Sequence, residues 1–242
     1  LPILFSHQEF YQLMLKGVKV STSQASVFER HQYYQRVLEQ NDKVLYICVG
    51  SAFTGNYMVA MDWKEKNDPD NRFTVLDSQA ASGRLGMIVL ATVRFAAQMK
   101  DHDEVVAFAR KCIDTCEEYV FLDKLQYLAA GGRLAKTSAF FGDTFRIKPI
   151  VSPLAEGAVK VGTARNPSGQ LKFALERLHQ SVTSNSVPFI MLEFSNNRDW
   201  VNKVVKREIE EQFPFAKIIL QPLSLTSSVH MGPGTWALAF LP

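Results

Sequence analysis

The chain has 242 residues, is 47% apolar and 21% charged, and carries a formal net charge of +3. These values describe an ordinary globular protein with room for one large domain or two small ones. It contains no Lys/Arg run that would form a nucleic-acid patch and no apolar stretch of about 18 residues that would cross a membrane. The opening residues, Leu1-Pro2-Ile3-Leu4-Phe5-Ser6, lack the basic region and cleavage site of a signal peptide. Cys48, Cys112 and Cys116 are an odd, scattered set with no nearby His to complete a metal site. They read as reduced thiols of a cytoplasmic protein, with no zinc and no cofactor expected.

In chain order, Ser6 and Glu9 form a capping box that opens a helix to about Lys16, ended by Gly17. An extended, hydroxyl-rich piece follows, and a second capping box at Ser26 and Glu29 opens a helix to about Gln40. The apolar run 43–49 is a buried strand, and 58–66 a helix. Asp68-Pro69-Asp70-Asn71 is a turn, 73–78 a strand and 82–99 a helix apolar nearly all round, so largely buried. An amphipathic helix over 102–117 turns Val105, Val106, Phe108, Ala109 and Ile113 inward. This strand–helix alternation predicts a parallel sheet covered on both faces.

The pattern changes near 118–120. A short strand at 119–122 precedes a helix from Leu125 that ends at Gly131-Gly132-Arg133. A helical or irregular piece, 135–145, leads to two strands, 146–152 and 158–164, joined as a hairpin. A helix at 168–182, a strand at 187–194, a helix at 198–212 and a strand at 216–223 follow. The chain closes with 227–234 and a last apolar strand, 236–241. The second half therefore reads as a mixed sheet with helices on one face. The domains expected are 1–119 and 120–242.

The stretch around which the chain is organised is Gly50-Ser51-Ala52-Phe53-Thr54-Gly55-Asn56-Tyr57. A buried strand that ends in a small, hydroxyl-rich turn and feeds a helix is where open α/β sheets bind ligands. Hydroxyls and backbone N–H groups at a helix start suit an anionic group. Of the histidines, His7, His31, His102 and His179 sit on polar helix faces and are expected at the surface.

Four pieces stand together, this stretch among them: Thr22-Ser23-Gln24-x-Ser26, Ser51-x-x-Thr54-Gly55-x-Tyr57, Gly131-Gly132-Arg133 and His230-x-Gly232-Pro233-Gly234. Asp77-Ser78 lies between the second and third, and Ile147-Lys148-Pro149-Ile150 follows the third. In this order, from about Phe5 to Leu241, the chain resembles the DegV family of fatty-acid-binding proteins. The resemblance implies two α/β domains, a three-layer parallel-sheet domain followed by a two-layer mixed-sheet domain. It also implies a bound long-chain fatty acid and no catalysis by the chain itself. In bacteria with a fatty acid kinase, such proteins present the carboxylate for phosphorylation to an acyl phosphate, a step in phospholipid metabolism. The implied partners are therefore a fatty acid and a kinase catalytic subunit, with no nucleic acid and at most a transient membrane contact.

By the same resemblance, Thr22 and Thr54 match the residues that hold the carboxylate. Arg133 and His230 lie close to it. Ser23, Ser51, Gly55 and Ser78 are additional candidates, and Arg165 matches a kinase-docking position. The chain departs from the family in lacking its usual first strand ending in Asp-Ser-Thr. Thr54 stands for a usual Ser, Asn56 for a Thr and Ala25 for a Pro.

The chemistry of such a ligand fits these residue types. The tail gains ~0.8 kcal/mol per methylene on leaving water, on the order of 12 kcal/mol for a long chain. The carboxylate is costly to bury without partners. Stiff threonine hydroxyls, a His that donates more strongly when protonated, and an Arg fork suit it. Two enzyme readings compete. Asp77, Ser78 and His230 contain the residue types of a hydrolase triad, without a Gly-x-Ser-x-Gly elbow. A nucleotide- or phosphate-binding module would use the 50–57 loop, which lacks Gly-Lys-Ser/Thr and Gly-x-Gly-x-x-Gly.

Overall fold

The computed structural model describes residues 6–99, 101–136, 147–183 and 186–242. Most of the expected piece at 135–145, and Arg146 of the next strand, lie outside the described residues. The two capping boxes form as read. The Ser6 hydroxyl accepts from the Glu9 amide and the Glu9 carboxylate accepts from the Ser6 amide, starting α1 (His7–Leu15). Ser26 and Glu29 do the same for α2 (Val27–Gln40). Each box satisfies helix-end donors that have no partner within the helix.

Strand β1 (Val44–Cys48) runs into α3 (Asn56–Asn67) and then β2 (Phe73–Asp77), which pairs with β1 in parallel. The period of two sorts their side chains to opposite faces. Val44, Tyr46, Phe73 and Val75 pack with Tyr34, Leu38, Ala60 and Trp63 of α2 and α3. Leu45, Ile47 and Leu76 face the other way, onto α4 (Ser82–Ala96) and α5 (His102–Thr115). The result is the three-layer arrangement that the alternation predicts, built on two parallel strands.

The second sheet has six strands in the order β5-β4-β3-β8-β6-β7. They are β3 (Glu117–Phe121), β4 (Lys148–Leu154), β5 (Gly157–Ala164), β6 (Phe189–Phe194), β7 (Lys217–Pro222) and β8 (Trp236–Leu241). Only β6 and β7 pair in parallel; the other neighbours are antiparallel. The β3–β4 ladder is short, Val120 to Val151 and Phe121 to Ile150. Pro149 and Pro153 of β4 bring no N–H to a ladder, and the β4–β5 register shifts between Ile150 and Val151.

One face of this sheet is covered by α7 (Pro167–Ser181) and by a rod made of α8 (Arg198–Trp200), a π-helical segment Val201–Lys206 and α9 (Arg207–Gln212). Its core holds Phe121, Leu178, Ile190, Val205, Trp236 and Phe240. The opposite face carries Met191 and Ala239 onto α4. Helix α4 is thus shared between the two sheets. Its first half is buried as expected, but Val89 and Val93 are exposed, because α4 outruns the sheets that cover it. Two short helices complete the chain, α6 (Gln126–Ala130) and α10 (Leu225–Met231). The histidines are less exposed than their helix faces imply. His7, His31 and His102 are half-buried, and only His179 is at the surface.

The start of α4 lacks a capping side chain of its own, since Ala81 precedes it. Glu118 of β3 accepts from the Gly83 and Arg84 amides at 3.1 Å each, and Glu193 of β6 accepts from the Ser82 hydroxyl at 2.8 Å. A Cβ at Gly83 would lie 2.7 Å from Glu193 Oε2 and 3.2 Å from both Glu118 Oε1 and Ala239 Cβ. Gly83→Ala is expected to cost about 1–3 kcal/mol, as overpacking does in a filled core. Trp236, 1% exposed, stacks on Phe121 at 3.9 Å between centroids, and Trp236→Ala is expected to cost about 3–5 kcal/mol. Urea denaturation followed by circular dichroism measures both.

Candidate functional site

A cavity of about 670 Å³ lies between the C-terminal ends of β1 and β2 and the α4-facing side of the six-stranded sheet. Its middle is apolar: Phe53, Leu85, Val120, Leu122, Val151 and Met231 line it. Four of the residues singled out in the sequence line it too, namely Thr22, Thr54, Arg133 and His230. They come from the loop after α1, the turn after β1, the segment after α6 and the last turn of α10.

The local geometry explains the motifs. The imidazole of His230 meets the Thr22 hydroxyl at 3.1 Å through Nε2. Its other nitrogen, Nδ1, lies against the backbone of Gly131 and has no hydrogen-bond partner. Any side chain at 131 would occupy the place of this ring, which is why Gly precedes Gly132-Arg133. The Arg133 guanidinium donates to the Gly131 carbonyl and so is fixed beside the ring. Gly232 and Gly234 both have φ of +79° and sit under Tyr127 and Asp123, respectively. Only glycine meets both demands. The turn after β1 is held by the Gly50 amide bonded to the Ala80 carbonyl at 2.7 Å. The Thr54 hydroxyl accepts from the Asn56 amide at 3.2 Å, leaving its proton free to donate.

Burial and, secondarily, the Arg133 charge hold the His230 pKa below the usual histidine range. The cavity therefore presents a neutral imidazole near neutral pH rather than an imidazolium. The positive charge at this end comes from Arg133.

The remaining candidates lie elsewhere. Ser23, Ser51 and Gly55 are exposed and do not line the cavity. Ser78 is fully buried, its hydroxyl paired with the backbone of Ala80. Asp77 accepts from the amides of Ser51 and Gln79, fastening the two strand-end turns to each other. The structure does not bring Asp77 and Ser78 together with His230, whose partner is Thr22. Arg165 is exposed at the end of edge strand β5.

Sequence reasoning missed Glu193, Ser82 and Gln221, which also line the cavity. The alternation of β6 was the available signal, since it puts Glu193 on the same face as Met191. A second hollow, of about 660 Å³, adjoins the cavity and shares Thr22, Arg133 and His230 with it, adding Lys19, Ser21 and Tyr127. The Thr22–His230–Arg133 group thus stands between an apolar chamber and an outer vestibule. Among the described residues no group of three or more His, Cys, Asp or Glu could hold a metal, and no helix is long and apolar enough to cross a membrane.

Residues 3–242 match the family model described as an uncharacterised protein of the DegV family. A DegV domain-containing protein of Clostridium perfringens is 24% identical over 236 residues, 96% of this chain and 81% of that protein. One from Lactococcus lactis is 26% identical over 227 residues, 92% of this chain and 78% of that protein. Among solved structures, a DegV family protein from Thermus thermophilus described for its fatty acid binding superposes with a TM-score of 0.88. It is 23% identical, over 98% of this chain and 84% of that one. DegV of Bacillus subtilis, described as a fatty acid binding protein, gives 0.84 at 19% identity, over 97% of this chain and 83% of that one. A DegV family protein from Eubacterium eligens, loaded with heptadecanoic acid, gives 0.81 at 15% identity, over 99% of this chain and 86% of that one. The fold is theirs, and the chain belongs to the DegV family.

Proposed function

We propose that this chain binds a long-chain fatty acid, with the tail in the apolar cavity and the carboxylate at Thr22, Thr54, Arg133 and His230. The observation that carries this reading is a largely apolar chamber that Thr22, Thr54, Arg133 and His230 also line. Its volume, about 670 Å³, lies within the range of small-molecule sites. The related structures described as fatty acid binding support the same ligand class. Two hydroxyls and a guanidinium supply donors to a buried carboxylate, which is otherwise costly to desolvate.

The finer part of the proposal is a non-catalytic role in the cytoplasm. The chain presents the carboxylate to the catalytic subunit of a fatty acid kinase, which phosphorylates it to an acyl phosphate with ATP, and it needs no cofactor of its own. The vestibule supports this reading, since it opens on the carboxylate end and leaves it approachable from outside. Exposed Arg165 is the proposed docking residue. The 1–119 and 120–242 division stands as the proposed domain boundary, with α4 of the first part seated on the sheet of the second.

Native mass spectrometry of the purified protein, followed by organic extraction, is expected to give a long-chain fatty acid as the bound mass. A ligand-free mass with no uptake of added oleate or palmitate would overturn the proposal. Thr54→Val and His230→Ala are each expected to weaken binding about 10- to 100-fold, the worth of a hydrogen bond to a charged group, in a fluorescent fatty-acid displacement assay. Gly131→Ala gives an independent check. Its φ of −74° suits alanine, so the added methyl acts by displacing the His230 ring, and a similar loss is expected with His230 still present.

A further inference from the structure

We infer that the cavity takes an acyl chain bearing a hydroxyl group remote from the carboxylate, and that Glu193 and Gln221 recognise it. This rests on the fatty-acid reading above and adds a specificity to it. A chamber for a plain hydrocarbon tail gains nothing from polar groups on its far wall, because each costs free energy unless it is paired. This chamber has such a wall. Buried Glu193 and half-buried Gln221 line it from β6 and β7, with Ser227 and the exposed Ser224 and Thr226 from the start of α10.

The wall stands across the six-stranded sheet from the Arg133 backbone. Glu193 lies four strands across the sheet from Ala158 of β5, where the Arg133 carbonyl is bonded, about 19 Å at the usual strand spacing. Along α10, Ser224 and His230 are separated by about 9 Å of helix rise. The apolar belt of Val120, Leu122, Val151 and Met231 lies between. A chain held by its carboxylate at Thr22 and Thr54 therefore brings its middle or its far end to Glu193.

Glu193 has bonding capacity to spare. It is 3% exposed; one oxygen accepts from the Ser82 hydroxyl at 2.8 Å. The other has only the Gln221 amide at 3.3 Å, longer than a well-formed bond. The start of α4 does not require that second oxygen, because Glu118 already takes the Gly83 and Arg84 amides. Burial raises the Glu193 pKa, and its second oxygen is placed to accept from a ligand hydroxyl. The Gln221 nitrogen donates to Met191 Sδ at 3.0 Å and to Glu193 at 3.3 Å, and its amide oxygen supplies a further acceptor.

The test compares octadecanoate with hydroxyoctadecanoates carrying the hydroxyl at mid-chain or at the terminal carbon. Each competes with a fluorescent fatty acid on the full chain. At least one hydroxylated isomer is expected to bind as tightly as octadecanoate or tighter. The ratio of the two affinities is expected to fall about tenfold in Glu193→Leu. Gln221→Leu, on the half-exposed edge strand, is expected to lower the same ratio and guards against misfolding of the Glu193 variant. Rejection of every hydroxylated isomer by about tenfold or more, or an unchanged ratio in both variants, would overturn the inference while leaving fatty-acid binding in place. Failure of octadecanoate itself to bind would remove the fatty-acid reading and this inference with it.

Discussion

Two carboxylates from the six-stranded sheet hold the first turn of a helix that follows the other sheet. Glu118 takes the amides of Gly83 and Arg84, and Glu193 takes the hydroxyl of Ser82. The exposed N–H groups and partial positive charge of the helix start favour this arrangement. Burial opposes it and raises both carboxyl pKa values, and the neighbouring Glu193 charge raises that of Glu118 further. The Arg84 side chain extends the joint by donating to the carbonyls of Pro153 at 2.7 Å and Ile113 at 2.9 Å. The position of α4 sets the gap between the sheets, and the gap is the cavity. Without this joint the chamber would have no fixed wall.

The opposite end of the chamber is fixed by interlocking backbone. Gly131 receives the His230 ring, Gly232 receives the Tyr127 ring, and Gly234 receives Asp123. The Gly-Gly-Arg and His-x-Gly-Pro-Gly motifs are about a hundred residues apart in the chain, yet they are two sides of one contact. The imidazole is thereby held against Thr22 at 3.1 Å, which would lower the ordering cost of the proposed binding.

Much of the fold was legible because its signals are local. The capping boxes at Ser6 and Ser26, the apolar run 43–49 and the glycine stop at 131–132 each need only a few neighbouring residues to be read. The cavity's polar residues at Thr22, Thr54, Arg133 and His230 were legible through motif order. Other features were not. The run Cys116-Glu117-Glu118-Tyr119 looks like the polar end of a helix, because nothing local marks Glu118 as a buried cap for a helix thirty-five residues earlier. Helix α10 hides in a serine-rich stretch whose individual preferences favour turns, and packing against α6 overrides them. The π-helical segment at 201–206 and the lining of the chamber are likewise set by contacts between distant residues.

The two-stranded sheet has a kinetic consequence. Among the described residues β1 and β2 bond only to each other, and β1 is half-buried along most of its length, whereas Leu192, Leu238 and Phe240 of the large sheet are fully enclosed. Two strands are marginal without the helices packed on them. The lowest-energy opening of the molecule therefore runs through this small sheet rather than through the six-stranded one. Thr54 stands on the turn that β1 carries, so the same fluctuation that frays the sheet uncovers the chamber.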